Sequence, residues 1–379
     1  MTHAFTLKNA RVFRGEKGFV RGDLSVCDGK IVPEEQTQKQ DLNGAFLIPG
    51  LVDAHTHGRS GVDFVRADAE QLHRLRLSYA AIGVTTPVPT LASAPFDEWL
   101  CAMERIRKAG YPAVHLEGRY LSPAKRGIHK SEWLSAPDCD ELRRISRAAG
   151  NMRLHITLAP ELEGAQSFIR LARSLGYTVG LGHSSADLNQ TDRALLDGVN
   201  AFTHLFNAMP PLHHRQAGPV CRALTGDSYV ELICDGFHIH PDVIALVKKI
   251  KAPEQVVLIS DSIEAAGCPD GQYSIAGETV TVQNGRALSS DGVIGGSTLE
   301  LPDAVANYLS FSGADICRGI RCVTENPASM LGMRDLCGGL ENGMNADFCI
   351  LDENFTLQDV YLSGRKIAQI SHKSFVLRP

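Results

Sequence analysis

Between Gly50 and Asp261 the chain repeats one pattern: a short continuous apolar run, then a longer segment with apolar residues three or four positions apart. Short apolar runs bounded by turn residues read as strands buried on both faces; the wider spacing reads as amphipathic helices. Their alternation predicts βαβ units around a parallel sheet. In AEQLHRLRLSYAAIG (69–83), Leu72, Leu75, Tyr79 and Ile82 fall on one helical face, and Gly83 stops the helix. The next strand is VTTPVPT. Eight such strands are predicted, near Val52, Val84, Val114, Leu154, Val179, Phe202, Leu232 and Val257, the number a closed barrel requires.

The two ends follow a different pattern. Phe5 to Ile48 alternates short β-like runs with glycine turns, among them AFTLKNARVF, the turn at Arg14–Gly15, DLSVCDGKIV and GAFLIPG. NADFCILDEN and TLQDVYLSGRKI repeat this near the C-terminus. Both ends are read as parts of one small β-unit, residues 1–49 and 343–379, flanking a barrel of residues 50–342. Gly267 to Gly296 interrupts the alternation with hairpins, and Asn284–Gly285 is a two-residue hairpin turn.

Composition changes this picture little. The 379 residues suffice for a large barrel plus a smaller unit, and 44% apolar with 21% charged residues is ordinary for a soluble globular protein. A net charge of -5 gives no basic face for nucleic acid. Arg143, Arg144 and Arg147 read as a solvated helix face. No apolar run is long enough to cross a bilayer, and MTHAFTLKNARVFRG lacks the apolar core of a signal peptide, so a cytoplasmic protein with no membrane partner is expected. The ten cysteines form no CxxC pair; Cys317 and Cys322 are the closest, on a predicted helix. They read as reduced small residues rather than a zinc site.

The chemistry lies where the predicted strands end: His55 and His57, Glu117, His183, His204, His238 and Asp261 close or follow successive apolar runs. In a parallel barrel those ends share one mouth, which points to a metal-dependent hydrolase. Residues i and i+2 of a strand face the same way, so His55 and His57 can reach one ion. Glu117 can bind an ion or bridge two; His115, two residues earlier on the same face, competes with it. With His183 and His204, Glu117 makes a three-ligand set with an open position, the mark of a catalytic site. Any one of these histidines alone would read as a hydrogen-bonded core residue. Asp261 can take a proton from an attacking water and return it to a leaving amine. His129, Asn207, Arg215 and Asp235 through His238 lie in loops on the same side. Arg215 and His238 suit an anion such as phosphate, with His213, His214 and His240 as alternatives.

These motifs resemble the N-acetylglucosamine-6-phosphate deacetylase family of the amidohydrolase superfamily. The matching pieces are PGLVDAHTHG, HLEGRYLSPAKRGIHK, LAPE, GHSSAD, THLFNAMPPLHHR, DGFHI, ISDSIEAAG, GGSTLELPDAV and NADFCILD. The resemblance implies an α/β fold, a (β/α)8 TIM-like barrel with a small β-sandwich formed by the N- and C-terminal segments. It implies metal ligands Glu117, His183 and His204, with His55 and His57 able to hold a second ion. It implies Asp261 as general base and acid, and His129 on the acetamido carbonyl. Ile128, Asn207, Ala208, Asp235 and the loop Ile294, Gly295 and Gly296 are its expected sugar-phosphate contacts. Arg215 and His238 are expected to reach the phosphate from a neighbouring subunit, which implies a homodimer.

The implied reaction is metal-dependent deacetylation of N-acetylglucosamine 6-phosphate in amino-sugar catabolism. The ion expected is zinc, with iron, manganese or cobalt acceptable to the same ligands, one or two per subunit. The galactosamine epimer is an alternative substrate, as is another amidohydrolase reaction such as opening a cyclic amide. No lysine near a strand end is available to bridge two metals in the cyclic-amidase manner. A non-catalytic sugar-phosphate sensor would not need Asp261. The chain departs from the family pattern at Arg119, Ile263 and Glu264 and at the pair His213–His214. These departures put the exact sugar in doubt, since Glu264 near a phosphosugar costs energy unless it is paired or turned away.

Overall fold

The computed structural model describes residues 4–367 and 376–377. Eight strands run parallel in chain order: Leu51–Thr56, Val84–Leu91, Ala113–Glu117, Arg153–Leu158, Thr178–Leu181, Ala201–Phe202, Tyr229–Ile233 and Val256–Ile259. Each expected position falls in one of them. The ring closes where Asp261 N–H donates to the His55 carbonyl (2.9 Å) and Thr56 bridges Ser262. Helices connect the strands and cover the outside. The first, Ala69–Ala80, buries Leu72, Leu75 and Tyr79 against the barrel, and Gly83 takes φ 88° just beyond it. Asp68 and Asp187 open their helices with complete capping boxes to Gln71 and Gln190, which satisfies the first free amides.

The remaining sheet is built from both ends of the chain. Ala4–Phe13 pairs with Phe19–Cys27 on one side and Phe46–Pro49 on the other, and Phe46–Pro49 pairs with Phe348–Leu351. Strand alternation divides its side chains between two cores. Val12, Leu47, Phe348 and Ile350 fill a small apolar core with Phe5, Leu7 and Val26, whereas Phe13, Phe46 and Ile48 face the barrel and join its core. Leu340 and Met344 also line the small core. This is the sandwich-like unit that the resemblance implied, set on an α/β barrel. Parts of the expected 343–379 segment, 368–375 and 378–379, lie outside the described residues.

After the eighth strand, Gly271–Ile275, Glu278–Gln283 and Arg286–Leu288 form an antiparallel sheet, turned at Asn284–Gly285 with φ 51° and 77°. All ten cysteines are free thiols. Among the described residues, no helix is long and apolar enough to cross a membrane.

Candidate metal centre and active site

The strand-end residues converge on the C-terminal mouth of the barrel, and Glu117 is their hub. Its Oε1 lies 3.2 Å from His183 Nε2 and 2.8 Å from His204 Nε2. Its Oε2 lies 3.1 Å from His57 Nε2 and 3.4 Å from His55 Nε2. Asp261 Oδ1 stands 3.3 Å from His55 and 3.2 Å from His57. Two groups result that share Glu117: His183 and His204 on one oxygen, and His55, His57 and Asp261 around the other. All are nearly excluded from solvent.

The donor set fits divalent ions. Buried nitrogens and carboxylate oxygens a few ångströms apart need either shared protons or a cation between them. Burial alone would raise the Glu117 carboxyl, but the neighbouring His55 and hydrogen bonds from His183 and His204 hold it well below the usual range. Asp261 is also lowered: burial opposes this, and His55 and His57 outweigh it. The ligand rings are oriented from outside. His183 Nδ1 donates to the Lys125 carbonyl at 2.8 Å, which leaves Nε2 as the nitrogen that would offer its lone pair to an ion.

Backbone strain gathers at the same points. His183, His204 and Asp261 have φ of 46°, 30° and 48°, in the left-handed region that side-chain-bearing residues avoid. Each ends a strand abruptly and places its side chain over the mouth. Such residues cost about 1–3 kcal/mol each and persist where function needs the geometry.

His129 has a different task. Ser93 N–H approaches its Nδ1 at 3.3 Å and Ser93 Oγ lies at 2.9 Å, so Nδ1 accepts and the proton sits on Nε2. Nε2 faces the cluster, 3.8 Å from Glu117. Burial, helped by the nearby His183, lowers its pKa to about 3, leaving a neutral donor aimed into the site. Ser93 was not among the residues expected from sequence: it follows the second strand in an unremarkable ASA stretch.

A cavity of about 350 Å³ opens above the cluster, lined by Ile128, His129, Asn207, Ala208, Ile294 and Gly296 as expected. Lys125, Ile275 and Val293 also line it; Lys125 falls within HLEGRYLSPAKRGIHK without having been singled out, and the other two lie outside the quoted motifs. Gly295 is buried behind the wall: a Cβ there would meet Val280 at 3.0 Å. Asp235 stands behind His238 and takes its Nδ1–H at 2.6 Å. His238 itself is a correction. It was expected in a neighbouring subunit's site, but the bond to Asp235 holds it over this chain's own cavity. Arg215 is exposed and outside the cavity lining, as are His213, His214 and His240; His240 caps the helix Pro241–Ile250.

His115 lies one layer lower, bonded to Thr90 and Thr157, and does not share the Glu117 cluster. The departures also sit away from the cavity lining. Glu264 accepts from Ser274 N–H at 2.7 Å, Arg119 pairs with Glu141 at 2.8 Å over the Phe96 ring, and Ile263 is buried against the hairpin sheet. Glu264 is thus paired and turned aside.

Fold and site together define a metal-dependent hydrolase of the barrel type. The chain belongs to the amidohydrolase family, whose model matches residues 46–367. An N-acetylgalactosamine-6-phosphate deacetylase of Escherichia coli O157:H7 is 33% identical to it, covering 96% of this chain and 99% of its own. An N-acetylglucosamine-6-phosphate deacetylase of Vibrio furnissii is 32% identical, covering 97% and 96%. A crystal structure of the Mycobacterium smegmatis N-acetylglucosamine-6-phosphate deacetylase, an aspartate-to-alanine mutant in complex with N-acetyl-D-glucosamine-6-phosphate, superposes with TM-score 0.88 at 29% identity, over 96% of this chain and 99% of that one.

Proposed function

We propose that this chain deacetylates N-acetylglucosamine 6-phosphate to glucosamine 6-phosphate and acetate, in the breakdown of amino sugars. The observation that carries the reading is the meeting of Glu117, His183, His204 and Asp261 with the Nε2–H of His129 around one cavity. Glu117, His183 and His204 would hold one divalent ion, zinc by preference, and His55 and His57 a second. The ion supplies Lewis acidity, polarising the amide carbonyl and acidifying the attacking water.

The chain's own groups do the rest. His129 donates its Nε2–H to the acetamido oxygen as charge builds there. Asp261 takes a proton from the attacking water and delivers it to the amine nitrogen as the C–N bond breaks. Main-chain groups at Asn207–Ala208 and at Ile294–Gly296 hold the sugar, with Ile128 against it. His238, fixed by Asp235, binds a hydroxyl or the phosphate from within the chain. Arg215, outside the cavity lining, serves the phosphate of a second subunit in a homodimer. A phosphosugar does not cross a bilayer unaided, which supports a cytoplasmic location. Residues 1–49 with 343–379, and 50–342, are the corresponding domains.

The similarity to the E. coli O157:H7 enzyme favours a second reading, in which the sugar is the galactosamine epimer. Acetate release from both N-acetylhexosamine 6-phosphates, with a cyclic amide as control, separates these readings. Turnover of the cyclic amide alone would sink both.

A further inference from the structure

We infer that Glu231 is a positioning residue that sets the tautomer of His55 and so builds the second-ion half of the centre. It sits on the seventh strand, Tyr229–Ile233, pointing into the barrel, and is fully buried. Interior positions of such barrels are ordinarily filled by Val, Ile or Leu, so a carboxyl group here is a costly choice. Its Oε2 lies 3.3 Å from His55 Nδ1 and accepts the main-chain N–H of His204 at 3.2 Å.

The consequence is directional. A carboxylate oxygen accepts, so Nδ1 of His55 donates to it, and Nε2 is the nitrogen left to offer a lone pair to an ion. That Nε2 faces His57 Nε2, Asp261 Oδ1 and Glu117 Oε2, all within 3.4 Å. The opposite tautomer would aim an N–H into the ion's place and set a lone pair against the Glu231 oxygen. Glu231 therefore touches both halves of the centre from below: the ring of His55 and the backbone of His204. Its other oxygen, Oε1, finds no hydrogen-bond partner among the described residues, with His155 Nε2 3.9 Å away and also unpartnered. An ion held above it by His55 and His57 would offset the cost of burying this carboxylate. A carboxylate behind a ligating histidine also raises the ring's basicity.

This inference rests on the two-ion reading, and the test separates the two. Glu231→Leu keeps much of the volume but removes the one oxygen that both His55 Nδ1 and the His204 N–H meet, so nothing there dictates the His55 tautomer. The full chain, stripped by chelator, is titrated with Zn²⁺ in equilibrium dialysis and its ions are counted by mass spectrometry. Wild type takes up two ions; the variant keeps the first and binds the second about 10–100-fold more weakly. Undiminished second-ion affinity in Glu231→Leu overturns the inference alone, whereas a single ion in wild type overturns the two-ion reading and this inference with it. A second measurement needs no folded variant. ¹⁵N-histidine NMR of the zinc-loaded wild type, with His55 assigned by His55→Gln, shows the Nδ1–H form; an Nε2–H form refutes the assignment.

Discussion

The two cores of this molecule follow opposite rules. In the terminal sheet, the inward residues are apolar throughout: Phe5, Leu7, Val12, Val26, Leu47, Phe348 and Ile350. In the barrel mouth, equally buried positions carry His55, His115, His155, Thr157, Thr203 and Glu231, joined by hydrogen bonds such as Thr157 to Thr203 at 2.7 Å. The first core gains stability from every side chain. The second spends stability on groups that are buried, half-satisfied and aimed. Burial is alike in both, so burial alone does not reveal which rule applies; the chemistry of the buried group does.

The sharpest break between the regions should come from Asp261→Asn. It removes the proton acceptor but keeps the side chain's size, so acetate release is expected to fall about 10²–10⁴-fold while the ion on Glu117, His183 and His204 stays bound. Near-normal turnover with that ion in place would remove Asp261 from the chemistry. In the other core, Phe348→Ala should do the reverse. Phe348 is fully buried and stacked on Tyr361 with centroids 4.5 Å apart, so its loss should cost about 3–5 kcal/mol in denaturant unfolding. Turnover per folded molecule should hold; a fall in kcat would mean the sandwich shapes the site.

A milder test replaces part of the polar layer. His115→Leu removes bonds to Thr90 and Thr157, but Thr157 keeps Thr203 and Thr90 still receives the Thr56 N–H. Exchanging a buried polar group for an apolar one of similar volume is often near neutral, so a shift within about 1 kcal/mol is expected. Metal content should not change. Loss of an ion would promote His115 to a structural part of the centre.

The smallest effect concerns pH. Lys251 donates to the carbonyls of Gly226 and Ser228, ahead of the strand bearing Glu231. Burial lowers its pKa to about 8, against the pull of Asp227 and Glu254. The unfolded chain, with an ordinary lysine near 10.4, then binds more protons between these values. Stability from this group therefore rises as pH climbs from about 8 towards 10.4. The melting-temperature difference between wild type and Lys251→Met should widen over that window; a constant gap would show Lys251 to be normally charged when folded.

Much of this was legible in the chain. The eight strands were predicted because each is a short apolar run between turn signals, and the hairpin at Asn284–Gly285 because its residues favour positive φ. Glu117 could be preferred to His115 because it lies at the strand's tip, and the structure puts His115 one layer lower. Ser93 and Val293 left no trace, and the role of Lys125 within its motif was not legible, since a serine behind a histidine and a carbonyl beside a ring have no sequence signature. That His238 lines its own chain's cavity was not legible, because the bond to Asp235 that holds it there forms only in the folded loop.

The sequence by itself determined the alternation of elements, the family, and the residue types of the centre, because hydrophobic period and ligand chemistry are local properties. Tertiary structure alone decided which oxygen of Glu117 meets which histidine, which ring nitrogen of His129 and His55 carries the proton, and that His183, His204 and Asp261 take strained backbone angles. Those depend on groups far apart in the chain, such as His55 and Glu231, which only closure of the barrel brings within 3.3 Å.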